Sequence, residues 1–211
     1  MDFIGKHLED ENPSGVSERT HQNRMNQKRE IIKKALELFA KNGYNNTTLE
    51  AIGSELGMTR AALYRYFRSK NELLFLCHKV VFEYTMDKLN KLKSIQSPPA
   101  RLARMLEDHI LLYIEDFPSS MPILWSIKSF PPEYKKQIYE FRKKIEEPFM
   151  QCIEEWRKES PGQLKDIDNK VIINTFFSTA NSVPRWLDDK GDPGLVAKQV
   201  VSILLDGIKR Y

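Results

Sequence analysis

The sequence predicts an all-α protein, in which an N-terminal three-helix unit is joined to a larger C-terminal helical domain. Apolar residues recur at helical spacing along every long segment, and no segment shows the two-residue alternation of a surface strand. Pro, Gly and Ser cluster between these segments, as they do between helices. The 211 residues are enough for one sizeable core or for two modest ones.

The chain opens with residues 1–24, which mix charge, Pro, Gly and Ser without periodicity and predict a flexible tail. Arg19 and Arg24 leave two interpretations open, an arm along a polyanion or an inert tail. The first helix is expected from about Asn26 to Lys41, and Gly43 ends it. One face of this helix is apolar, with Ile31, Ile32, Ala35, Leu36 and Phe39. The opposite face is basic, with Lys28, Arg29, Lys33 and Lys34.

Two short helices and a tight turn follow the first helix. Thr48 and Thr59 are good N-cap residues for them, because a hydroxyl can accept from the unpaired N–H groups of a first turn. Gly57 stands between the two helices, where the backbone can turn through positive φ. The second short helix is expected over Thr59 to Phe67, and Ser69 is expected to cap the next one. The predicted inward residues are Leu49, Ile52, Leu56, Ala62, Leu63 and Phe67.

The second short helix carries a basic and aromatic outer face. Arg60, Ala61 and Arg65 lie there with two tyrosines, Tyr64 and Tyr66. Small residues let a helix approach base edges, while arginines reach guanine acceptors and phosphates. A buried helical corner is the alternative, but it does not explain a small Ala61 on an exposed basic face. The pattern therefore favours a helix-turn-helix that enters the major groove of DNA.

The charge distribution agrees with a polyanionic partner at this segment. Net charge is +4 for the whole chain, but residues 17–79 hold 12 Lys and Arg against 6 Asp and Glu. Residues 80–211 are nearly balanced, with 20 against 19, and residues 1–16 are acidic, with 1 against 4. A positive excess on one segment is typical of nucleic-acid binding, although solvated surfaces show it too.

This stretch resembles the DNA-binding domain of the TetR family of bacterial repressors. The similarity rests on GYNNTTLEAIGSELGMT from Gly43, followed by AALYRYF and SKNELL. Two positions depart from the family pattern. Gly53 stands where Ala is usual, at a cost in helix propensity of about 1 kcal/mol, and Tyr66 stands where His is frequent. The resemblance implies a DNA-binding domain at residues 25–71, a ligand-binding and dimerisation domain at residues 72–211, and a homodimer on a palindromic operator.

The expected roles at the DNA follow partly from chemistry and partly from the resemblance. Arg60 is the first choice for base reading, with Ala61 and Ala62 in close apolar contact, and Arg65 suits either bases or phosphates. The resemblance implies phosphate contacts for Thr48, Tyr64, Tyr66 and Lys70. The full predicted DNA-binding set is Thr48, Thr59, Arg60, Ala61, Ala62, Tyr64, Arg65, Tyr66 and Lys70.

The C-terminal domain is expected to consist of long helices separated at prolines. One helix, from Lys70 to Lys93, contains no Pro or Gly and would form a continuous lever between the domains. Further helices are expected at 101–117, 133–158 (with a kink at Pro148), 168–187 and from Pro193 onward. The last carries Val196, Val200, Ile203, Leu204 and Ile208 on one face. These last two helices hold more apolar surface than a small domain needs, so we expect them to form a four-helix homodimer interface.

No residue pattern indicates an enzyme or a metal centre. Glycine-rich phosphate loops and a G-x-S-x-G motif are missing, and the four histidines are scattered. We therefore expect no catalytic residue, cofactor or metal. Cys77 and Cys152 are too few for a disulfide framework and are expected as reduced core residues. No apolar run reaches the roughly 20 residues that span a bilayer, and no signal peptide is recognisable, so a cytoplasmic location is expected.

Aromatic side chains in the C-terminal domain suggest a deformable ligand cavity beside its Pro-rich segment. A plain core explains most of them singly, whereas the group with its Pro breaks favours a pocket. The predicted lining residues are His109, Trp125, Phe130, Tyr134, Phe149, Asn174, Phe176, Phe177 and Asn181.

The expected ligand is a small apolar or amphipathic effector. Asn181 and Trp186, followed by DDKGDPGL, resemble the end of TetR members that sense acyl-CoA thioesters, which slightly favours an acyl-CoA or a fatty acid. The leading interpretation is a repressor that such a ligand releases from its operator. Three alternatives remain: a DNA-binding protein without an effector, a drug-responsive efflux repressor and, last, an all-α enzyme.

Overall fold

The computed structural model describes residues 17–118, 130–188 and 191–210, and within these ranges the regular elements are helices and one isolated bridge. The helices are α1 (Glu18–Asn42), α2 (Leu49–Glu55), α3 (Arg60–Tyr64), α4 (Lys70–Leu92), α5 (Pro98–Leu111), α6 (Pro132–Glu159), α7 (Asn169–Trp186) and α8 (Pro193–Ile208). One π-helical turn, Leu112–Asp116, directly follows α5. The all-α prediction is confirmed for the described residues. None of the described helices is both long and apolar enough to cross a bilayer.

The described residues form two compact units. The first contains the residues up to Tyr84 together with 130–139, and the second contains Thr85–Pro118 and the residues from Glu140 onward. These units are defined by packing inside the chain. The domain limits predicted after residues 24 and 71 were drawn by function instead, and they stay a prediction.

In the first unit α1 packs on α2, and α2 packs on α3. The predicted apolar stripe of α1 is confirmed as buried, and so are Leu49, Ile52, Leu63 and Phe67 of the short helices. Lys28, expected on the basic face of α1, is instead 8% exposed. These side chains form the core that holds the two short helices in place.

Helix α1 begins earlier than the sequence predicts. It starts at Glu18 rather than near Asn26, and the Ser17 hydroxyl caps it by accepting from Thr20 N at 3.3 Å. Its first two turns carry no apolar stripe, so periodicity gave no signal for them, although N-cap chemistry did. The part of the predicted tail at 18–24 is therefore helical, and residues 1–16 lie outside the described ranges.

Gly53 allows α2 to pack closely against the turn that follows it. A Cβ at this position would lie 2.8 Å from Met58 O and 2.9 Å from Leu63 Cδ1, distances that real Cβ atoms do not reach. Met58 N also donates to Gly53 O at 2.8 Å. Packing thus requires glycine here in place of the family's Ala, although glycine costs helix propensity.

In the second unit α5 packs on α7 and α8, and α7 packs on α8. The apolar residues that the sequence places on one face of α8 are not all buried inside the chain. Val200 and Ile208 are buried, but Ile203 is 72% exposed, and Val196 and Leu204 are only half-buried. The face that packs inside the chain is completed by Ala197, Val201 and Leu205. The reason is that α8 is apolar over a wide arc, so sequence alone did not locate the side that meets α5.

The predictions for one proline and two cysteines can be compared with the fold. Pro148 lies inside α6, a single helix of 28 residues, and the kink expected at this position stays a prediction. Cys77 and Cys152 are buried and free, as predicted. At the other end of the second unit, Leu164 and Lys209 form the isolated antiparallel bridge, which ties the chain after α8 to the segment before α7.

Candidate functional site

The turn between α2 and α3 has the geometry that the sequence predicts for a helix-turn-helix. Thr48 Oγ1 accepts from Ala51 N at 3.1 Å, and Thr59 Oγ1 accepts from Ala62 N at 3.2 Å, so both predicted N-caps are confirmed. Gly57 has φ +62°, which places it in the left-handed region. Each capping hydroxyl keeps its own proton, which is available to an external acceptor such as a phosphate oxygen.

Six of the nine predicted DNA-binding residues are exposed. The exposed side chains are Thr48, Thr59, Arg60, Ala61, Tyr64 and Arg65, while Ala62, Tyr66 and Lys70 are half-buried. Leu63 and Phe67 point into the core and anchor the helix. Helix α3 is shorter than expected, because it ends at Tyr64 and a turn leads on to Phe67.

Arg60 is held in place by two neighbours. Its Nε lies 2.8 Å from Glu50 Oε1, and its Nη2 donates to Tyr64 Oη at 3.3 Å. The hydrogen bond to Tyr64 and the charge of Glu50 raise the pKa of Arg60. The outer edge formed by Nη1 and Nη2 still has N–H groups for the O6 and N7 acceptors of a guanine. Sequence reasoning missed Glu50, since no helical spacing links a residue of α2 to one of α3.

Lys70 has a structural role that the sequence did not indicate. Its Nζ donates to Tyr44 O and Thr47 O, both at 2.9 Å, and lies 4.2 Å from the centroid of the Tyr44 ring. The Tyr44 hydroxyl in turn donates to Asn71 Oδ1. Partial burial lowers the pKa of Lys70. These contacts fix the loop that precedes Thr48 and leave one ammonium N–H for a phosphate.

A second candidate site lies in the second unit around His109. Its Nε2 is 2.9 Å from Asn181 Oδ1. The imidazole centroid is 4.8 Å from that of Phe177, 5.5 Å from that of Tyr113 and 6.4 Å from that of Phe149. Four of the predicted pocket residues are therefore brought together, namely His109, Phe149, Phe177 and Asn181.

The other predicted pocket residues lie elsewhere. Phe130 and Tyr134 belong to the first unit, where their rings contact His78 at 5.3 Å and Phe75 at 4.7 Å. Phe176 is part of the core of the second unit. Two further residues are set apart: Asn174 is exposed on α7, which corrects its assignment to the pocket, and Trp125 lies outside the described residues.

The cavity beside His109 is small. Its volume is about 10 Å³, room for about one water molecule, whereas ligand pockets usually measure roughly 300–1,000 Å³. Its lining consists of Thr85, Lys88, Leu89, Met105, Asp108, His109, Leu112 and Phe149. A larger ligand could enter here only after side chains or helices had moved. No group of three or more potential metal ligands occurs among residues 17–118, 130–188 and 191–210.

Two family models match the chain. One, described as bacterial regulatory proteins of the tetR family, covers residues 31–77. The other, described as a tetracyclin repressor-like C-terminal domain, covers residues 96–208, which is more than half of the chain. The first match contains α2, α3 and the residues between them.

Two relatives and one solved structure illustrate what the chain is similar to. YerO of Bacillus subtilis (strain 168), named as an uncharacterized HTH-type transcriptional regulator, is 37% identical over 99 residues, which are 44% of this chain and 32% of YerO. The fatty acid metabolism regulator protein of the same strain is 24% identical over 195 residues, 87% of this chain and 98% of that protein. The crystal structure of AibR with isovaleryl coenzyme A and operator DNA superposes with a TM-score of 0.71 and 22% identity, over 86% of this chain and 97% of AibR. The chain thus spans about a third of the first relative and nearly all of the second.

Proposed function

The chain belongs to the TetR family of DNA-binding transcriptional regulators, and from that premise we propose that it is a homodimeric repressor that a small amphipathic ligand releases from a palindromic operator. One observation carries the proposal: α2 and α3, both capped by threonine and joined through Gly57, present Arg60, Ala61 and Tyr64 on one exposed face. A recognition helix of this kind reads base edges in the major groove, and neighbouring hydroxyl and cationic groups hold phosphates.

Exposed apolar side chains on the last two helices support the homodimer. Val171 and Trp186 of α7 are 54% and 56% exposed, and Leu195 and Ile203 of α8 are 54% and 72% exposed. Apolar groups gathered on two adjacent helices are typical of an interface. A second copy of the same helix pair would cover them and build a four-helix interface. Two recognition helices would then meet DNA about one turn, roughly 34–36 Å, apart.

Release by a ligand would work through a shift in populations. A ligand that binds better to a conformation with the wrong spacing of recognition helices weakens operator binding, and a coupling of roughly 1–3 kcal/mol changes the affinity several-fold to about a hundredfold. We propose α4, an uninterrupted helix over Lys70–Leu92, as the element that transmits this shift. The named roles of the fatty acid regulator and of AibR, which was crystallised with an acyl coenzyme A, support an acyl compound as ligand.

The proposal is tested by selecting DNA sequences from a random pool and measuring gel shifts with the selected duplex. We expect Arg60→Ala to alter the selected sequence, since a bidentate Arg–guanine contact supplies about 1–3 kcal/mol of discrimination. Tyr64→Ala should instead weaken binding to all duplexes alike. Lys34→Ala is the matched control, because it removes a cation from α1 rather than from the recognition helix. If Arg60→Ala selected the same sequence as the natural chain, Arg60 would not read bases.

A DNA-binding protein without an effector is the second candidate function. The observation that favours it is the small volume of the cavity beside His109, about 10 Å³. Gel shifts with the selected duplex, repeated with fatty acids and acyl coenzyme A compounds, separate the two. Release by one of these compounds favours the repressor, whereas unchanged binding at saturating concentrations favours the effector-free protein.

A further inference from the structure

A buried polar pair lies in the apolar interior of the second unit. Nε2 of His109 is 2.9 Å from Oδ1 of Asn181, and these residues are 6% and 7% exposed. An amide oxygen can only accept a hydrogen bond, so Nε2 carries the proton and the other ring nitrogen, Nδ1, is an acceptor. The contact with Asn181 therefore selects one tautomer of His109.

Nδ1 of His109 is buried, and no group of the described residues donates a hydrogen bond to it. Leaving a buried acceptor unpaired is costly, so such atoms are rare in folded proteins and call for an explanation. The rings of Tyr113, Phe149 and Phe177 surround the imidazole and make its environment apolar. The small cavity lies directly beside it, with His109 in its lining.

The site offers a neutral acceptor rather than a charge. Burial lowers the pKa of His109 to about 4, so the imidazole is uncharged at pH 7. The charged side chains in the cavity lining already have partners. Lys88 pairs with Asp116 at 2.6 Å, and Asp108 pairs with Arg104 at 2.8 Å. A ligand that enters here therefore meets the lone pair of Nδ1 beside charged groups that are already paired.

We propose that Nδ1 of His109 accepts a hydrogen bond from an O–H group of the effector, which is then an apolar molecule that ends in a hydroxyl or a protonated carboxyl group. This inference rests on the proposed function, because it concerns which effector the repressor selects. Ester, thioester and ether oxygens have no proton to donate, and their lone pairs would face that of Nδ1. A carboxyl group in apolar surroundings keeps its proton, because burial disfavours the carboxylate. For a given aliphatic chain, the free acid or the alcohol is therefore favoured over the coenzyme A thioester.

The test compares two probes that differ in one proton donor. Decan-1-ol carries an O–H group, and decyl methyl ether has the same chain and oxygen with a methyl group in place of the proton. Binding to the full chain is measured by isothermal titration calorimetry, and we expect the alcohol to bind about tenfold more tightly. Decanoic acid and decanoyl coenzyme A, added as separate arms, distinguish the alcohol, acid and thioester sources of the headgroup. Equal affinity for alcohol and ether, or no binding of either, would overturn the inference.

Two variants locate the preference at His109. The double variant His109→Phe with Asn181→Leu removes both polar partners together, which leaves no new unpaired group, and its affinity ratio for alcohol over ether should fall to about one. Asn181→Leu alone keeps the imidazole but no longer fixes its tautomer. Nδ1 can then carry the proton and donate a hydrogen bond to the ether oxygen. Its ratio should fall as well, and a ratio unchanged in both variants would contradict the assignment.

Measurements of operator binding distinguish a failure of this inference from a failure of the proposed function. The wild-type chain and the double variant are both tested by gel shift on the selected duplex without ligand. If both bind DNA and a ligand releases the wild type, but alcohol and ether act alike, only the O–H preference is wrong. If the wild-type chain selects no duplex, the repressor proposal itself fails.

Discussion

Gly53 shows at the scale of one residue how a missing side chain determines local packing. Its Cα hydrogen faces Met58 O and Leu63, where a Cβ would approach to within 2.8 and 2.9 Å. Sequence reasoning alone treats this glycine as a weakness in a short helix. The structure shows that the carbonyl of the turn occupies the place that an alanine methyl would need.

We expect Gly53→Ala to destabilise the protein, although Ala is the better helix former. Overpacking typically costs about 1–3 kcal/mol, which outweighs a gain in helix propensity of at most about 1 kcal/mol. Thermal unfolding followed by circular dichroism should show a lower midpoint.

Gly207→Ala is the matched control, because a Cβ at this position of α8 meets no atom within 4 Å. It should leave the midpoint unchanged or raise it slightly. If Gly53→Ala raised the unfolding midpoint as much as Gly207→Ala does, the turn after α2 would have adapted to the added methyl group without cost.

Helices α2 and α3 are linked at their outer face by an ion pair between Glu50 and Arg60. The carboxylate positions the guanidinium but also places a negative charge on the surface proposed to meet phosphates. Both side chains are solvent-exposed, so the pair contributes little to stability. Its effect should therefore appear in DNA binding.

Glu50→Gln is expected to strengthen binding to DNA several-fold at low salt and less at high salt, because it removes one charge that repels phosphates. Gel shifts at two salt concentrations measure this change. Glu37→Gln is the control, since it removes the same charge from the exposed Lys34–Glu37 pair on α1. Equal strengthening by both variants would mean that only net charge matters, and weakening by Glu50→Gln would mean that the position of Arg60 matters more.

At the scale of the whole molecule, the exposed apolar groups of α7 and α8 decide whether the chain acts alone. A monomer would leave Ile203 72% exposed on a helix whose other face is buried. A palindromic site needs two recognition helices, so a loss of the dimer should remove most of the operator affinity.

Ile203→Lys is expected to produce a folded monomer with greatly reduced operator binding, because a charge would be buried in the interface. Light scattering after size-exclusion chromatography gives the mass, and gel shifts give the affinity. Tyr139→Lys is the control, since Tyr139 is likewise exposed but lies on α6. A dimer that survives Ile203→Lys would place the interface elsewhere.

Much of the candidate DNA interface could be predicted from sequence, because its signals are local. Thr48 and Thr59 cap their helices, Gly57 has positive φ, and the apolar stripe of α1 is buried. Each of these depends on residues within a few positions of one another along the chain. The contacts of Glu50 and Lys70 join residues 10 to 26 positions apart, and periodicity carries no information about them.

The sequence by itself determined the helical class and the helix-turn-helix, since these follow from short-range spacing and capping chemistry. It also indicated the family, through motif residues that resemble those of its members. Only the tertiary structure decided which apolar side of α8 is buried, that Phe130 and Tyr134 belong to the first unit, and that His109 meets Asn181 across 72 positions. The physical reason is that a helix with a wide apolar arc can pack through any of several sides and bury similar apolar residues each time. The choice among them depends on shape and on polar pairs that only the folded chain brings together.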